Sequence, residues 1–366
     1  MNSRLLLTQG ANGRRAQFAA AKRGDLRDLS NCKRILVVKL SSLGDVVHVT
    51  PCLRALRQYF PNAEIVMAVE PQFAAVVRHN PHIDSLIESR FRGAGFFPLR
   101  VCQLMRDFHG TEIDLAIDFQ GNNKSAAWIY GSRSAVKVGR GGMRPGWTLP
   151  IRPNLHQHAV QVCIDIVNSI GVPVLQPDPE IFLFERDDAQ LLSILSDLKV
   201  PQDGFLIMNP FSVWPSKMWP LDRYAHLMHR LRDEFPVPMV ITGGSCEADQ
   251  GGELLGLLRP GTAVSLVGKL TLGQALCLYR RARLMVTGDS GPMHAAAALG
   301  TQTVALFGPT LPERNGPWGK GHIVIQEMRP PFHHAYRSDH DRKHMRTIDV
   351  QAVYEAVRTA LHNESM

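Results

Sequence analysis

Apolar runs alternate with amphipathic stretches along almost the whole chain. This predicts an α/β protein of two Rossmann-like domains, each a parallel sheet with helices on both faces, the two facing a central cleft. Three observations carry the prediction. Residues 34–69 read as strand, turn, helix, strand, and residues 282–308 (ARLMVTGDSGPMHAAAALGTQTVALFG) read the same way. Residues 173–179 (PVLQPDP) hold three prolines in seven residues and form the best linker between the halves. A length of 366 residues exceeds one ordinary core and suits two.

Each element has a local reason. The run RILVVKL at 34–40 is a buried-strand pattern, and SSLGD at 41–45 follows it as a turn. From 46 to 60, Val46, Val49, Leu53 and Leu56 share one helical stripe with Arg54 and Arg57 opposite, and Pro61-Asn62 stops the helix. Residues 64–69 are the next strand, 71–79 a helix, 83–88 a short strand and 98–108 a helix. DLAIDF at 114–119 is another buried strand, 135–138 a strand entering the Gly/Arg-rich loop 139–146, and 158–169 an amphipathic helix. The second half repeats the pattern. Strands fall at 205–208, 237–242, 263–266, 283–287, 303–307 and 323–325, and helices at 222–234, 271–281, 292–299 and 350–361. Expected domains are a basic N-terminal arm (1–33), an N-terminal domain (34–175), a C-terminal domain (176–347) and a closing helix (348–366) with the N-terminal domain as its packing candidate.

Composition excludes several function classes. Hydrophobic residues make up 45% and charged residues 20%, as in a soluble globular protein. No apolar run approaches the roughly 18 residues a membrane span needs. The net charge of +8 is concentrated: residues 1–34 carry eight Lys/Arg against Asp25 and Asp28, leaving only +2 for the rest. The body is therefore no strongly basic nucleic-acid binder. The arm reads as disordered, with contact to anionic lipid as its functional alternative. Six scattered cysteines without a CxxC argue for a reducing compartment. Without GxGxxG or GxxxxGK[ST], neither dinucleotide nor P-loop binding is supported.

Chemistry gathers at the turns. Gly288–Gly291 lies between a strand and a small-residue helix, where backbone N–H groups and the helix dipole favour an anion. Pro292 suits the first turn, and His294 stands close enough to donate to a phosphate oxygen. Asp45, in the turn after the first strand, is either a helix-capping carboxylate or a general base, and the two roles do not exclude one another. Lys217 lies in SVWPSKMWP, bracketed by Trp214 and Trp219, and suits a diphosphate counter-ion. Gly243-Gly244 followed by Glu247 reads as a nucleotide-side turn with a ribose carboxylate, or as a plain turn with a first-turn acid.

Four motifs occur together in order: KLSSLGD at 39–45, DFQGNNKS at 118–125, KMWP at 217–220 and DSGPMH at 289–294. Over residues 34–361 the chain resembles the ADP-heptose:lipopolysaccharide heptosyltransferases, inverting glycosyltransferases of family 9 with the GT-B fold. The resemblance implies that Asp45 is the base for the acceptor hydroxyl and Lys217 the cation for the leaving diphosphate. It implies that Ser290, Gly291 and His294 bind phosphate, with Asp289 near the sugar. Ser212 falls at a phosphate-contacting hydroxyl, Leu270 at an adenine contact and Glu247 (or Asp249) at the ribose. Gln120, Lys124 and His158 would line the acceptor side. Arg140, with Arg90, Arg92 and Arg100, could contact an anionic acceptor by charge and region. The implied donor is ADP-heptose and the acceptor a lipid-anchored lipopolysaccharide precursor, on the cytoplasmic face of a Gram-negative inner membrane, with no cofactor and no metal.

Relatives often carry cysteines where this chain has RPPFHHAYRSDHDRKHM (329–345). Its four histidines, 333, 334, 340 and 344, read as a solvated loop near the acceptor mouth, with metal binding the alternative. Rival readings are a same-family transferase with another nucleotide-sugar or acceptor, a non-catalytic nucleotide-sugar binder, and a sugar-nucleotide epimerase. Intact Asp45 and Lys217 argue against a mere binder, which needs no base.

Overall fold

The computed structural model describes residues 29, 31–89, 97–108, 110–141, 147–152, 154, 156–330 and 343–363. The chain divides into two units between Phe182 and Leu183.

The N-terminal unit contains strands β1 (Arg34–Val38), β2 (Glu64–Val69), β3 (Ser85–Glu88), β4 (Leu115–Asp118), β5 (Val136–Arg140) and β6 (Leu149–Ile151). Its helices are α1 (Leu43–Tyr59), α2 (Phe97–Asp107), α3 (Asn123–Gly131) and α4 (Ala159–Asn168). The sheet is parallel, in the order β3-β2-β1-β4-β5-β6. Ile35 to Val38 are fully buried because β1 is central and covered on both faces, which is why it reads as an unbroken apolar run. Ser42 opens α1 with a capping box completed by Asp45, and the stripe of Val46, Val49, Leu53 and Leu56 is fully buried. The expected helix at 71–79 is a single 3₁₀ stretch, Pro71–Val76.

The C-terminal unit contains strands β7 (Leu206–Asn209), β8 (Met239–Ile241), β9 (Val264–Ser265), β10 (Leu284–Gly288), β11 (Gln302–Leu306) and β12 (Ile323–Ile325). Its helices are α5 (Glu185–Asp197), α6 (Leu221–Glu234), α7 (Ala248–Gly256), α8 (Leu272–Arg281), α9 (Gly291–Ala298), α10 (Pro312–Asn315), α11 (Lys343–Arg346) and α12 (Val350–Asn363). Its sheet is also parallel, in the order β12-β11-β10-β7-β8-β9. Read from its own first strand, this is the same doubly wound order as the first sheet. Each sheet reverses direction at one place: between β1 and β4, and between β7 and β10. In open α/β sheets ligands bind beyond the strand C-termini at such a switch point.

Two expectations are corrected. Residues 173–179 are not a free linker, because the segment is strapped to α1. Arg54 reaches Gln176, the Asp178 carbonyl and Glu180, and the Glu180 N–H donates to Thr50 Oγ1 at 2.9 Å. Residues 176–182 therefore belong to the N-terminal unit. The closing helix α12 packs against α6 and against β10, β11 and β12, with Val353, Val357 and Ala360 inside the C-terminal unit's own core. Its apolar stripe covers a face of that sheet. The helices α3, α5 and α7, which the periodicity leaves unmarked, complete the two layers. Among the described residues no helix is long and apolar enough to cross a membrane.

Two glycines let the N-terminal switch point close. Gly121 has φ +76°, and a Cβ there would lie 2.7 Å from the Arg140 carbonyl oxygen. A Cβ on Gly139 would lie 2.5 Å from the Asp118 carbonyl oxygen. Gly121→Ala combines left-handed strain with a backbone clash and should cost about 1–3 kcal/mol. The measurement is the urea midpoint, expected to fall with an unchanged slope.

Candidate active site

The N-terminal half-site lies past the C-terminal ends of β1 and β4. Asp45 stands in the first turn of α1, where a carboxylate satisfies orphan N–H groups and meets the positive end of the dipole. Its Oδ2 accepts from the Ser42 N–H at 3.2 Å and the Ser42 hydroxyl at 3.1 Å. Its Oδ1 faces Lys39 Nζ at 3.5 Å. Desolvation pushes the carboxyl upward, but the charge on Lys39, then His48 and the Ser42 donors, outweigh it. Asp45 is held well below the ordinary carboxylate range. The capping reading thus holds, and the cap is held in its ionised form.

The rest of this half-site is tied to it. Gln120 Oε1 accepts from the Ser41 N–H at 3.1 Å, joining the turns after β4 and β1. Asp118, fully buried at the end of β4, accepts from the N–H groups of Gln120 (2.8 Å) and Gly121 (2.9 Å) and from the Ser125 hydroxyl (2.8 Å). Burial pushes its carboxyl up against the pull of those donors and Lys39. Lys124, on α3, is half-exposed with Nζ 3.8 Å from Glu70. His158 caps α4, its Nδ1 accepting from the Val160 N–H at 3.2 Å, and its ring meets His48 edge-on at 5.6 Å. Arg140, half-buried, ends β5 beside the Gly121 turn. Arg90 and Arg92 lie outside the described residues; Arg100 falls on α2, with its side chain outside them too.

The C-terminal half-site occupies the equivalent place past β7 and β10. A buried polar chain crosses the strand ends. Asn209 Nδ2 donates to the Thr242 carbonyl and hydroxyl, both at 3.1 Å. Thr287 Oγ1 donates to Asn209 Oδ1 at 3.3 Å and meets Ser290 Oγ at 3.1 Å. Ser290 is the N-cap residue of α9, Gly291 its first residue, and His294 sits buried one turn in. Lys217 Nζ donates to Asp289 Oδ2 at 2.7 Å, and His294 Nε2 stands 4.0 Å from Asp289 Oδ1. Burial raises the Asp289 carboxyl, but the Lys217 charge first, then His294, outweigh it and hold it below its ordinary value.

The remaining predicted positions lie around this pair. Ser212 Oγ accepts from the Trp214 N–H at 3.3 Å in the loop leading to Lys217. Glu247 accepts from the Gly244 N–H and so caps its own turn, as the plainer reading expects, and Asp249 falls in the first turn of α7. Leu270 is half-buried between β9 and α8. One expectation fails: Trp219 does not bracket Lys217. It is buried in the core with its indole N–H on the Ile348 carbonyl at 3.1 Å. Only Trp214 stays at the surface, and its carbonyl accepts from the Lys217 N–H. His344 is buried on α11, which packs on the Pro215–Lys217 turn. His333, His334 and His340 lie outside the described residues.

Sequence reading misses Lys39, His48 and Asp118. The available signal was a charged residue closing each of the apolar runs 34–40 and 114–119, which on a central strand must be buried and therefore paired. The chemistry open to the two halves differs. One offers an ionised carboxylate whose Oδ1 faces an ammonium at 3.5 Å. The other offers an ammonium and a helix N-terminus, which suit a polyanion.

The model for glycosyltransferase family 9 (heptosyltransferase) matches residues 101–343. Lipopolysaccharide heptosyltransferase 1 of Pseudomonas aeruginosa is 28% identical over 306 residues, covering 80% of this chain and 83% of that protein. A family 9 glycosyltransferase from Veillonella parvula superposes with a TM-score of 0.79 at 25% identity, covering 90% and 97% of the two chains. ADP-heptose lipopolysaccharide heptosyltransferase II of Escherichia coli superposes with a TM-score of 0.75 at 23% identity, covering 91% and 100%. The fold these two share with the chain is GT-B.

The Asp289 carboxyl yields a pH prediction. Its folded-state value is depressed, so the stabilisation is complete above its ordinary value of 3.8 and is lost as pH falls through the folded value. Between pH 5 and pH 2 the urea midpoint of Asp289→Asn should therefore fall less than that of the wild type.

Proposed function

We propose a specific transfer for this chain, which belongs to glycosyltransferase family 9, the heptosyltransferases: heptose passes from ADP-L-glycero-D-manno-heptose to a Kdo or heptose hydroxyl of the lipopolysaccharide inner core, with inversion. The observation that carries the reading is the pair of switch points: one sheet holds an ionised Asp45 there and the other holds Lys217 with the α9 N-terminus. A single displacement at an anomeric carbon needs those two functions. The acceptor hydroxyl gives its proton to Asp45 Oδ1 as its oxygen bonds the anomeric carbon. The bond from that carbon to the β-phosphate oxygen breaks, and the electron pair leaves with ADP.

The developing charge on ADP falls to Lys217, the Ser290–Gly291 backbone and His294. Lys217 exchanges Asp289 for the diphosphate when the donor enters, and Asp289 then faces the sugar. Ser212 adds a phosphate contact, Leu270 the adenine contact and Glu247 a ribose contact. Gln120, Lys124, His158 and Arg140 contact the acceptor, two of them with positive charge suited to an anionic core sugar. An ammonium and a helix dipole can replace a metal at a diphosphate, so the reaction runs without one. The acceptor's lipid anchor makes the enzyme peripheral on the cytoplasmic face of the inner membrane.

The test is ADP release from ADP-heptose, with and without a Kdo-bearing lipid A acceptor, in EDTA. Release should require acceptor and survive EDTA. Asp45→Asn should lower it by roughly 10²–10⁴-fold, the usual worth of a general base. Lys217→Ala should also lower kcat. Acceptor-independent release would refute the transferase reading in favour of hydrolysis or epimerase-like chemistry. Release only with a heptosylated acceptor would move the specificity to the second sugar.

A further inference from the structure

We propose that Lys39 is a positioning residue for the transfer: buried behind Asp45, its ammonium fixes the charge and the aim of that carboxylate. The inference rests on the reading of Asp45 as the base. Lys39 closes the apolar run of β1, and its side chain is 3% exposed, while that of Asp45 is 40% exposed. The ammonium is thus shut away from solvent, while the carboxylate it faces is open to it. Lys39 therefore acts through Asp45 and does not touch a reacting atom.

The distances divide the work between the two carboxylate oxygens. Oδ2 is occupied by both Ser42 donors. Oδ1 stands 3.5 Å from the ammonium, an ion-pair separation longer than a strong charge-assisted hydrogen bond of about 2.8 Å. Oδ1 is thereby oriented by charge and still able to take a proton.

A buried ammonium must be compensated by anions. The ion-pair partner of Lys39 is Asp45 on α1, and the Lys39 charge also pulls on Asp118 at the end of β4, against the burial that raises that carboxyl. The other groups around Asp45 are His48 on its own helix, Cys163 on α4, Arg140 on β5 beside that thiol, and His158 against His48. Before reaction the Asp45 carboxylate balances Lys39. When Asp45 takes the acceptor's proton, Lys39 is left as a buried cation beside a neutral acid. That arrangement disfavours keeping the proton, so Asp45 returns it to solvent and is ready for the next cycle. The cost is a weak base, so proton transfer comes late, after bond formation to the anomeric carbon has acidified the hydroxyl.

The test is the pH profile of acceptor-dependent kcat/KM for the wild type, Lys39→Gln, Lys39→Arg and Asp45→Asn. The wild type should show no acid limb in the range where it is folded. Lys39→Gln should show one displaced upward by about one to three pH units, the usual effect of losing an opposite charge at this range. Lys39→Arg, which keeps the positive charge, should abolish that limb again. A Lys39→Gln profile with no acid limb, like that of the wild type, would overturn the proposal. Full activity in Asp45→Asn would instead overturn the base reading, so the two failures are distinguishable. Should Lys39→Gln not fold, a carboxyl ¹³C titration of Asp45 in the wild type decides. Titration at or above the ordinary 3.8 would overturn the inference, and ionisation well below it would support it.

Discussion

A parallel sheet covered by helices on both faces must reverse its winding at one place, and the crevice there is the one opening that its own helices do not fill. Both units obey that constraint with the same strand order, read from their own first strands. Everything chemical in the molecule follows from it. The chain leaves β1, β4, β7 and β10 at the crevice, so the turns after those four strands are brought together in pairs. Each helix that begins there presents its N-terminus to the same spot, which makes the crevice electropositive before any side chain is added.

The two crevices use that field differently. At β1/β4 the sequence adds carboxylates, Asp45 and Asp118, and one buried ammonium, Lys39, to balance them. At β7/β10 it adds an ammonium, Lys217, and one buried carboxylate, Asp289. Neither charge set is tolerable without its counter-ions, since an unpaired charge in such surroundings costs several kcal/mol. Rigidity comes from neutral groups. The Thr242–Asn209–Thr287–Ser290 chain and the donors around Asp118 satisfy the strand ends and leave the ionic pairs as the exchangeable part.

Much of this was legible in the chain. Unbroken apolar runs announced central parallel strands, and strand–turn–helix spacing located Asp45 and Ser290–His294 because those relations are local in sequence. Other features were not legible for a shared reason. Trp219 and Trp214 have the same composition signal, yet one fills the core against Tyr224 and donates to the Ile348 carbonyl 129 residues away. Residues 173–179 look like a linker because proline says how a segment bends and nothing about what it lies on. Arg54, on the face of α1 that periodicity marks as solvent, turns out to be what holds 176–180 down.

By itself the sequence determined the fold class, the number of sheets and the residues able to carry charge at each turn, since these depend on periodicity and neighbours. The tertiary structure decided which charges meet. Lys39 and Asp118 are 79 residues apart and Lys217 and Asp289 are 72 apart. Only strand order brings such pairs within Coulombic reach, and whether an ammonium becomes a surface cation or a buried counter-ion depends on what packs over it. The interactions that tune the site are long-range in the chain and short-range in space, and no window of sequence contains both partners.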